Sequence, residues 1–163
     1  MLIIVLLYSS VLFSQTCANR YQNEIFSNVS INTVAYSDVY LDYFHEMDIY
    51  TPIGDTLTNR PVIFYLHGGS FYSGDKSTID CVDFCTSFAK RGYVAISMNY
   101  RLANYYLFLY SQEEQYKAIL RAVADLKAAV RYMKKDFTIN NTYGIDTNLI
   151  FTGGYSAGAI TAI

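Results

Sequence analysis

Two hydrophobic periods alternate along this chain. Val34, Tyr36, Val39, Leu41, Tyr43, Met47 and Ile49 recur loosely at every second position, which predicts two antiparallel strands between Val34 and Tyr50, joined near Ser37-Asp38. The polar stretch 19–32 before them reads as a loop, and Thr51-Pro52-Ile53-Gly54-Asp55 is a cluster of turn residues. Pro61–Leu66 and Tyr93–Met98 are continuous apolar runs, as expected of strands covered on both faces in a parallel sheet. Between them a helix is predicted from Thr78 to Lys90, with Gly92 as its C-terminal cap. Residues 103–110 read as an aromatic loop.

The strongest helical pattern starts at Ser111. Ser111 and Glu114 form an S-x-x-E capping box, and Tyr116, Ile119, Val123, Leu126, Val130 and Met133 follow as one apolar stripe. Glu113 and Glu114 at its start and Arg131, Lys134 and Lys135 near its end complement the helix dipole. A turn-rich connection, Asn140–Asn148, leads to a last strand, Leu149-Ile150-Phe151, and Ala159–Ile163 reads as the start of another helix. The order is β-β-β-α-β-α-β with a nascent helix. Such alternation predicts an α/β fold, a mostly parallel sheet with helices on both faces. Right-handed crossovers keep the carboxyl ends of parallel strands on one edge, where such sheets place ligands.

Composition narrows the picture. The chain has 163 residues, 52% hydrophobic and 16% charged, enough apolar material for one sizeable core. Its net charge of -2, without a basic run, argues against a nucleic-acid partner. Leu2–Phe13 is uncharged and apolar but shorter than the roughly 20 residues that span a bilayer. With Thr16 and Ala18 at positions −3 and −1 of a cut, residues 1–18 read as a signal peptide and 19–163 as the domain, although the segment before the apolar run lacks Lys and Arg. The expected localisation is secreted or periplasmic. A lipid anchor at Cys17 or a buried first strand are the alternatives, and no later segment suits a membrane span. Cys81 and Cys85, on one helix face with Phe84, Phe88 and Ala89, read as small buried side chains or, in an oxidising compartment, as a disulfide partner. Two cysteines with no His beside them make no zinc site.

Candidate chemistry lies in Gly154-Tyr155-Ser156-Ala157-Gly158, between the last strand and the final helix. A strand, a sharp turn carrying Ser and a helix hold a hydroxyl exposed as a nucleophile. The motif alone arises by chance in roughly 5% of chains this long, so its strand-to-helix context carries the weight. Glycines at 154 and 158 are expected because the backbone passes too near its neighbours for a Cβ. A second glycine turn, His67-Gly68-Gly69-Ser70-Phe71, follows the strand at Leu66. An acyl-transfer site needs amide donors for an oxyanion; Gly69, Ser70 and Ala157 are the candidates, with Gly68 as a further one. His67 and Ser156 lie 89 positions apart yet are predicted to meet at one sheet edge. No phosphate-loop pattern is present.

These pieces resemble the N-terminal half of an α/β-hydrolase-fold serine esterase, of the carboxylesterase and hormone-sensitive-lipase-like kind. The resemblance rests on His67–Phe71, Asn99-Tyr100-Arg101-Leu102, Asp125–Val130, Gly144-Ile145-Asp146 and Gly154–Gly158, and covers about residues 35–163. It implies Ser156 as nucleophile, an oxyanion hole from Gly69, Ser70 and Ala157, a small-molecule ester substrate, and neither metal nor cofactor. Ser70 replaces a third glycine found in many members, and Tyr155 an acidic residue usual in the hormone-sensitive-lipase-like branch.

A Ser nucleophile needs a His base and a carboxylate, which in this fold follow the Ser in the chain. The only histidines are His45 and His67, both upstream. The resemblance implies that His67 shapes the glycine loop, and His45 is expected to lie in an early strand, exposed or hydrogen-bonded locally. Arg101 and Asp125 read as structural. The aromatic residues 105–110 could wall an acyl or aryl pocket, or pack beneath a cap. The expectation is a fold truncated after the nucleophile turn and inactive as it stands, with its last strand an unpaired edge. The alternatives are a peptidase of the same fold and a non-catalytic hydrolase-like binding or adhesion protein.

Overall fold

The computed structural model describes residues 19–163; the signal-peptide and Cys17 readings lie outside them. Five strands form one sheet: β1 (Val29–Ala35), β2 (Glu46–Pro52), β3 (Arg60–Leu66), β4 (Val94–Met98) and β5 (Ile145–Gly154), in the order β1-β2-β4-β3-β5. β1 and β4 both pair antiparallel with β2, whereas β3 pairs parallel with β4 and β5. Only β2 therefore runs against the rest. The helices are α1 (Ile79–Lys90), α2 (Tyr105–Tyr110), α3 (Gln112–Ile139) and α4 (Ala157–Ala162).

Period-two alternation divides the core into two layers. Met47, Ile49, Val62, Phe64, Leu66, Val94, Ile96 and Met98 share one cluster with Ala118, Ala122, Leu126, Ala129 and Met133 of α3. The intervening Tyr50, Ile63, Tyr65 and Ala95 face Phe84, Cys85, Phe88 and Ala89 of α1. Helices thus cover both sheet faces, which is the α/β-hydrolase arrangement expected above. Cys81 and Cys85 are buried on α1 and unbonded to each other, and burial raises both thiol pKa values.

Several element boundaries differ from the sequence reading. β1 begins at Val29, inside the stretch read as a loop. The link from β1 to β2 runs through residues 36–45 and a 3₁₀ turn at Tyr43–His45, not through a tight turn at Ser37-Asp38. β1 is a mostly exposed edge whose polar Ser30, Asn32 and Thr33 need only pair with β2, so its hydrophobic signal is weak. Residues 105–110 are helix α2, not a loop: the Asn104 side chain accepts from the Tyr106 and Leu107 amides and caps it. The buried line of α3 is Ala118, Ala122, Asp125, Leu126, Ala129 and Met133. Alanines let the helix approach the sheet closely, so most of the larger predicted stripe flanks the contact, and Tyr116 is 61% exposed.

Candidate active site

β3 and β5 lie side by side, so the two glycine turns after them emerge together. The Tyr155 amide donates to Leu66 O at 3.1 Å, tying one turn to the end of the other strand. The glycines make this approach possible. A Cβ on Gly154 would sit 2.5 Å from Leu66 O, and one on Gly158 would sit 2.6 Å from the Leu66 carbonyl carbon. A Cβ on Gly68 would sit 3.4 Å from Ser156 Cβ. The two motifs read 89 positions apart are thus packed against each other.

Ser156 has φ 52° and ψ −115°, conformational space that an L-residue avoids, and its side chain is exposed. Such geometry costs on the order of 1–3 kcal/mol and persists only where surrounding contacts impose it. Here the Gly158 amide donates to Tyr155 O at 2.9 Å and the Ile160 amide to Ser156 O at 3.1 Å, closing the turn into α4.

The first glycine turn is strained as well. Gly69, Ser70 and Phe71 have φ of 115°, 53° and 65° in succession. Ser70, where glycine is common in the resembling family, therefore occupies the backbone region that favours glycine. Gly69 O accepts from the Tyr72 and Ser73 amides at 3.1 and 3.0 Å, which curls the loop back on itself. Among the described residues, the Gly69, Ser70 and Ala157 amides donate to no protein acceptor, so the loop and the Ser156 turn present free N–H groups.

His67 stands at the base of this loop and is buried. Its ring stacks on Tyr100 at 4.3 Å, and the Tyr100 hydroxyl donates to His67 O at 2.7 Å. His67 Nδ1 lies 2.6 Å from Gly68 O, an acceptor, so Nδ1 carries the proton. Burial lowers the His67 pKa, outweighing the hydrogen bond to Gly68 that raises it, and favours the neutral ring. Gly74 is glycine for the same reason: a Cβ there would meet His67 Nδ1 at 2.7 Å. His67 therefore shapes the loop, as the family resemblance implied.

His45 makes the local hydrogen bond expected of it, with Nδ1 2.7 Å from Asp42 Oδ1, but it lies in the 3₁₀ turn, not in a strand, and is buried, stacked on Tyr40 at 4.8 Å. It sits beyond the far flank of β4, next to Asp125 and away from Ser156. Arg101 and Asp125, each read as structural, pair with each other: the Arg101 guanidinium donates to the Asp125 carboxylate at 2.7 and 3.0 Å, and the Arg101 amide also donates to it at 2.9 Å. Hydrogen bonding to Asp125 raises the Arg101 pKa.

Sequence reasoning missed a second buried pair. Lys76 Nζ lies 2.8 Å from Asp48 Oδ1, and the Lys76 amide donates to Asn99 Oδ1 at 2.7 Å. This fixes the segment between the glycine loop and α1. The available signal was a charged Asp within the apolar β2 pattern, which demands a partner. A cavity of about 270 Å³ lies elsewhere, between the β1–β2 link and α3, lined by Tyr36, Asp38, Arg131 and Lys135 among others. Among the described residues no helix is long and apolar enough to cross a membrane, and no group of three His, Cys, Asp or Glu side chains converges on one point.

Comparison with known proteins decides the family. The BD-FAE family model matches residues 47–163. The chain belongs to the BD-FAE family. Gut esterase 1 of Caenorhabditis elegans is 29% identical over 99 residues, 61% of this chain and 17% of that protein. A truncated carbohydrate esterase from gut microbiota superposes with a TM-score of 0.61 at 24% identity, over 85% of this chain and 43% of its own. Esterase B from Lactobacillus rhamnosis gives the same TM-score, 0.61, at 22% identity, covering 87% of this chain and 40% of its own. This BD-FAE chain therefore has the α/β-hydrolase fold and spans less than half the length of each of these proteins.

Proposed function

We propose that the protein is a serine hydrolase that cleaves carboxylic esters through an acyl-enzyme on Ser156. The observation that carries the reading is the clasp of the Leu66 backbone against Gly154 and Gly158, which sets an exposed, strained serine beside a loop of free amides. The names of its relatives, esterases throughout, support the same class.

In this reading Ser156 Oγ attacks the ester carbonyl carbon and gives its proton to a general base. The carbonyl oxygen becomes an oxyanion that accepts from the Gly69, Ser70 and Ala157 amides, with Gly68 adjoining. The alkoxide leaves with the proton, and water then cleaves the acyl-enzyme by the same route. Each amide donor contributes about 3–4 kcal/mol of barrier lowering. His67 and His45 are both committed to buried contacts, so neither serves as that base in this reading.

Hydrolysis of a short-chain 4-nitrophenyl ester by the full-length protein tests the reading. Ser156→Ala is expected to lower kcat at least about 10⁴-fold with the fold intact. Undiminished turnover in that variant would refute it. The reading also has the protein exported, with residues 1–18 removed, so N-terminal sequencing of the secreted product should begin at Asn19. A mature product beginning at Met1 would contradict export by cleavage.

A further inference from the structure

We infer that α2 is an aromatic clamp that holds the oxyanion loop in its strained shape, and that Phe108 is its positioning residue. The inference rests on the function proposed above for Gly69 and Ser70, but the clamp itself is a structural claim.

Three consecutive left-handed residues, Gly69 to Phe71, do not hold that shape unaided, and Phe71 is a bulky aromatic in glycine's region. Something must fix Phe71 from outside the loop. Its carbonyl accepts from the Ala103 amide at 2.7 Å, in the segment that leads into α2. Its buried ring lies 6.3 Å from Tyr100, the residue that stacks on His67, and 6.4 Å from Phe108. The next residue, Tyr72, meets Phe108 edge-on at 5.5 Å and Tyr105 at 5.0 Å. A continuous line of rings thus runs from α2 to the base of the loop: Phe108, Phe71, Tyr100, His67.

The helix holding this line has no other visible purpose in the core. None of its six residues is buried, and Phe108 is the one half-buried member, packed against the main cluster. Its carbonyl is in turn fixed by Gln115 Nε2 of α3 at 2.8 Å. α2 is therefore anchored to α3 at one side and bears on the loop at the other. Without the Phe108 ring, Phe71 and Tyr72 lose the surface that keeps them in place, and the loop is free to relax toward ordinary backbone angles. That would turn the Gly69 and Ser70 amides away from Ser156.

Amide hydrogen exchange and ester kinetics on the full-length protein test this together. The Tyr72, Ser73 and Ala103 amides, which close the loop, are expected to exchange at least tenfold faster in Phe108→Ala, while the β3 amides 62–66 keep wild-type rates. The same variant should lose 10- to 100-fold in kcat with KM within about twofold, and Phe108→Tyr should restore both. If Phe108→Ala loosens β3 as well, Phe108→Leu, which keeps most of the volume but not the ring, is expected to show the same loop-specific change. Wild-type loop exchange in the variant that keeps β3 intact overturns the clamp, whatever the kinetics. Loop-specific exchange in a protein whose wild type cleaves no ester leaves the clamp standing and removes the hydrolase reading instead.

Discussion

At Gly158 a single hydrogen separates the end of β3 from the turn that carries Ser156. Gly158→Ala is expected to destabilise the protein by about 1–3 kcal/mol in chemical denaturation, because the clashing atoms are backbone and cannot rotate away. It should abolish hydrolysis as well, by pushing the two turns apart. The alternating glycines were legible in the sequence, since a steric requirement leaves its mark as residue type. The left-handed angles at Ser70 and Phe71 were not, because neither residue type advertises φ above zero. Gly74 was equally silent: its need arises from Gly68 and His67, six and seven positions away in the chain. His67 also carries a pH signature. Its folded pKa lies below the ordinary 6.5, so as pH falls the unfolded chain takes up the proton first. This contribution is therefore complete above pH 6.5 and declines below it, until the folded ring protonates too. Urea midpoints measured from pH 7 to 5 should fall less steeply in His67→Asn than in the wild type.

At the scale of elements, helix α3 shows what periodicity reads well and what it does not. Its existence and approximate length were plain, and the Ser111 side chain does accept from the Glu114 amide, but the return bond of a capping box is not made, because the Ser111 amide donates to Leu107 O. Its contact line was misjudged because Tyr116, Ile119, Val123 and Val130 advertise hydrophobicity while the close contact is made by alanines. Ala122→Leu should cost about 1–3 kcal/mol by overpacking against the sheet, whereas Leu120→Gln, at a 68% exposed position, should stay within about 0.5 kcal/mol. Differential scanning calorimetry of the two variants separates them. α2 was hidden for another reason: it is too short to show a period, and Asn104 caps it without a following acidic residue. The Lys76–Asp48 pair links the loop after the glycine turn to β2. Lys76→Ala leaves Asp48 buried and uncompensated, and should cost about 3–5 kcal/mol in the same measurement.

At the scale of the whole molecule, sheet order brings the two glycine turns together, as the proposed chemistry would require. The chain visits β3, crosses to β4, and returns to β5 on the other side of β3, so the ends of β3 and β5 become neighbours. Alternating strands and helices were enough to foresee this meeting; the antiparallel β1–β2 flank followed from looser patterning and was less well bounded. β5 is the edge of the described sheet, with Leu149 and Phe151 about half exposed. Such an edge predicts concentration-dependent association of residues 19–163, weakened by Phe151→Lys and visible by sedimentation. The central claim is that Ser156 is a nucleophile served by amides from a distant turn. Its most direct test is peptide mapping of the full-length protein after reaction with a fluorophosphonate. The account predicts one phosphonyl group, on Ser156, absent from Ser156→Ala; an unmodified Ser156, or a label that survives that substitution, would contradict it.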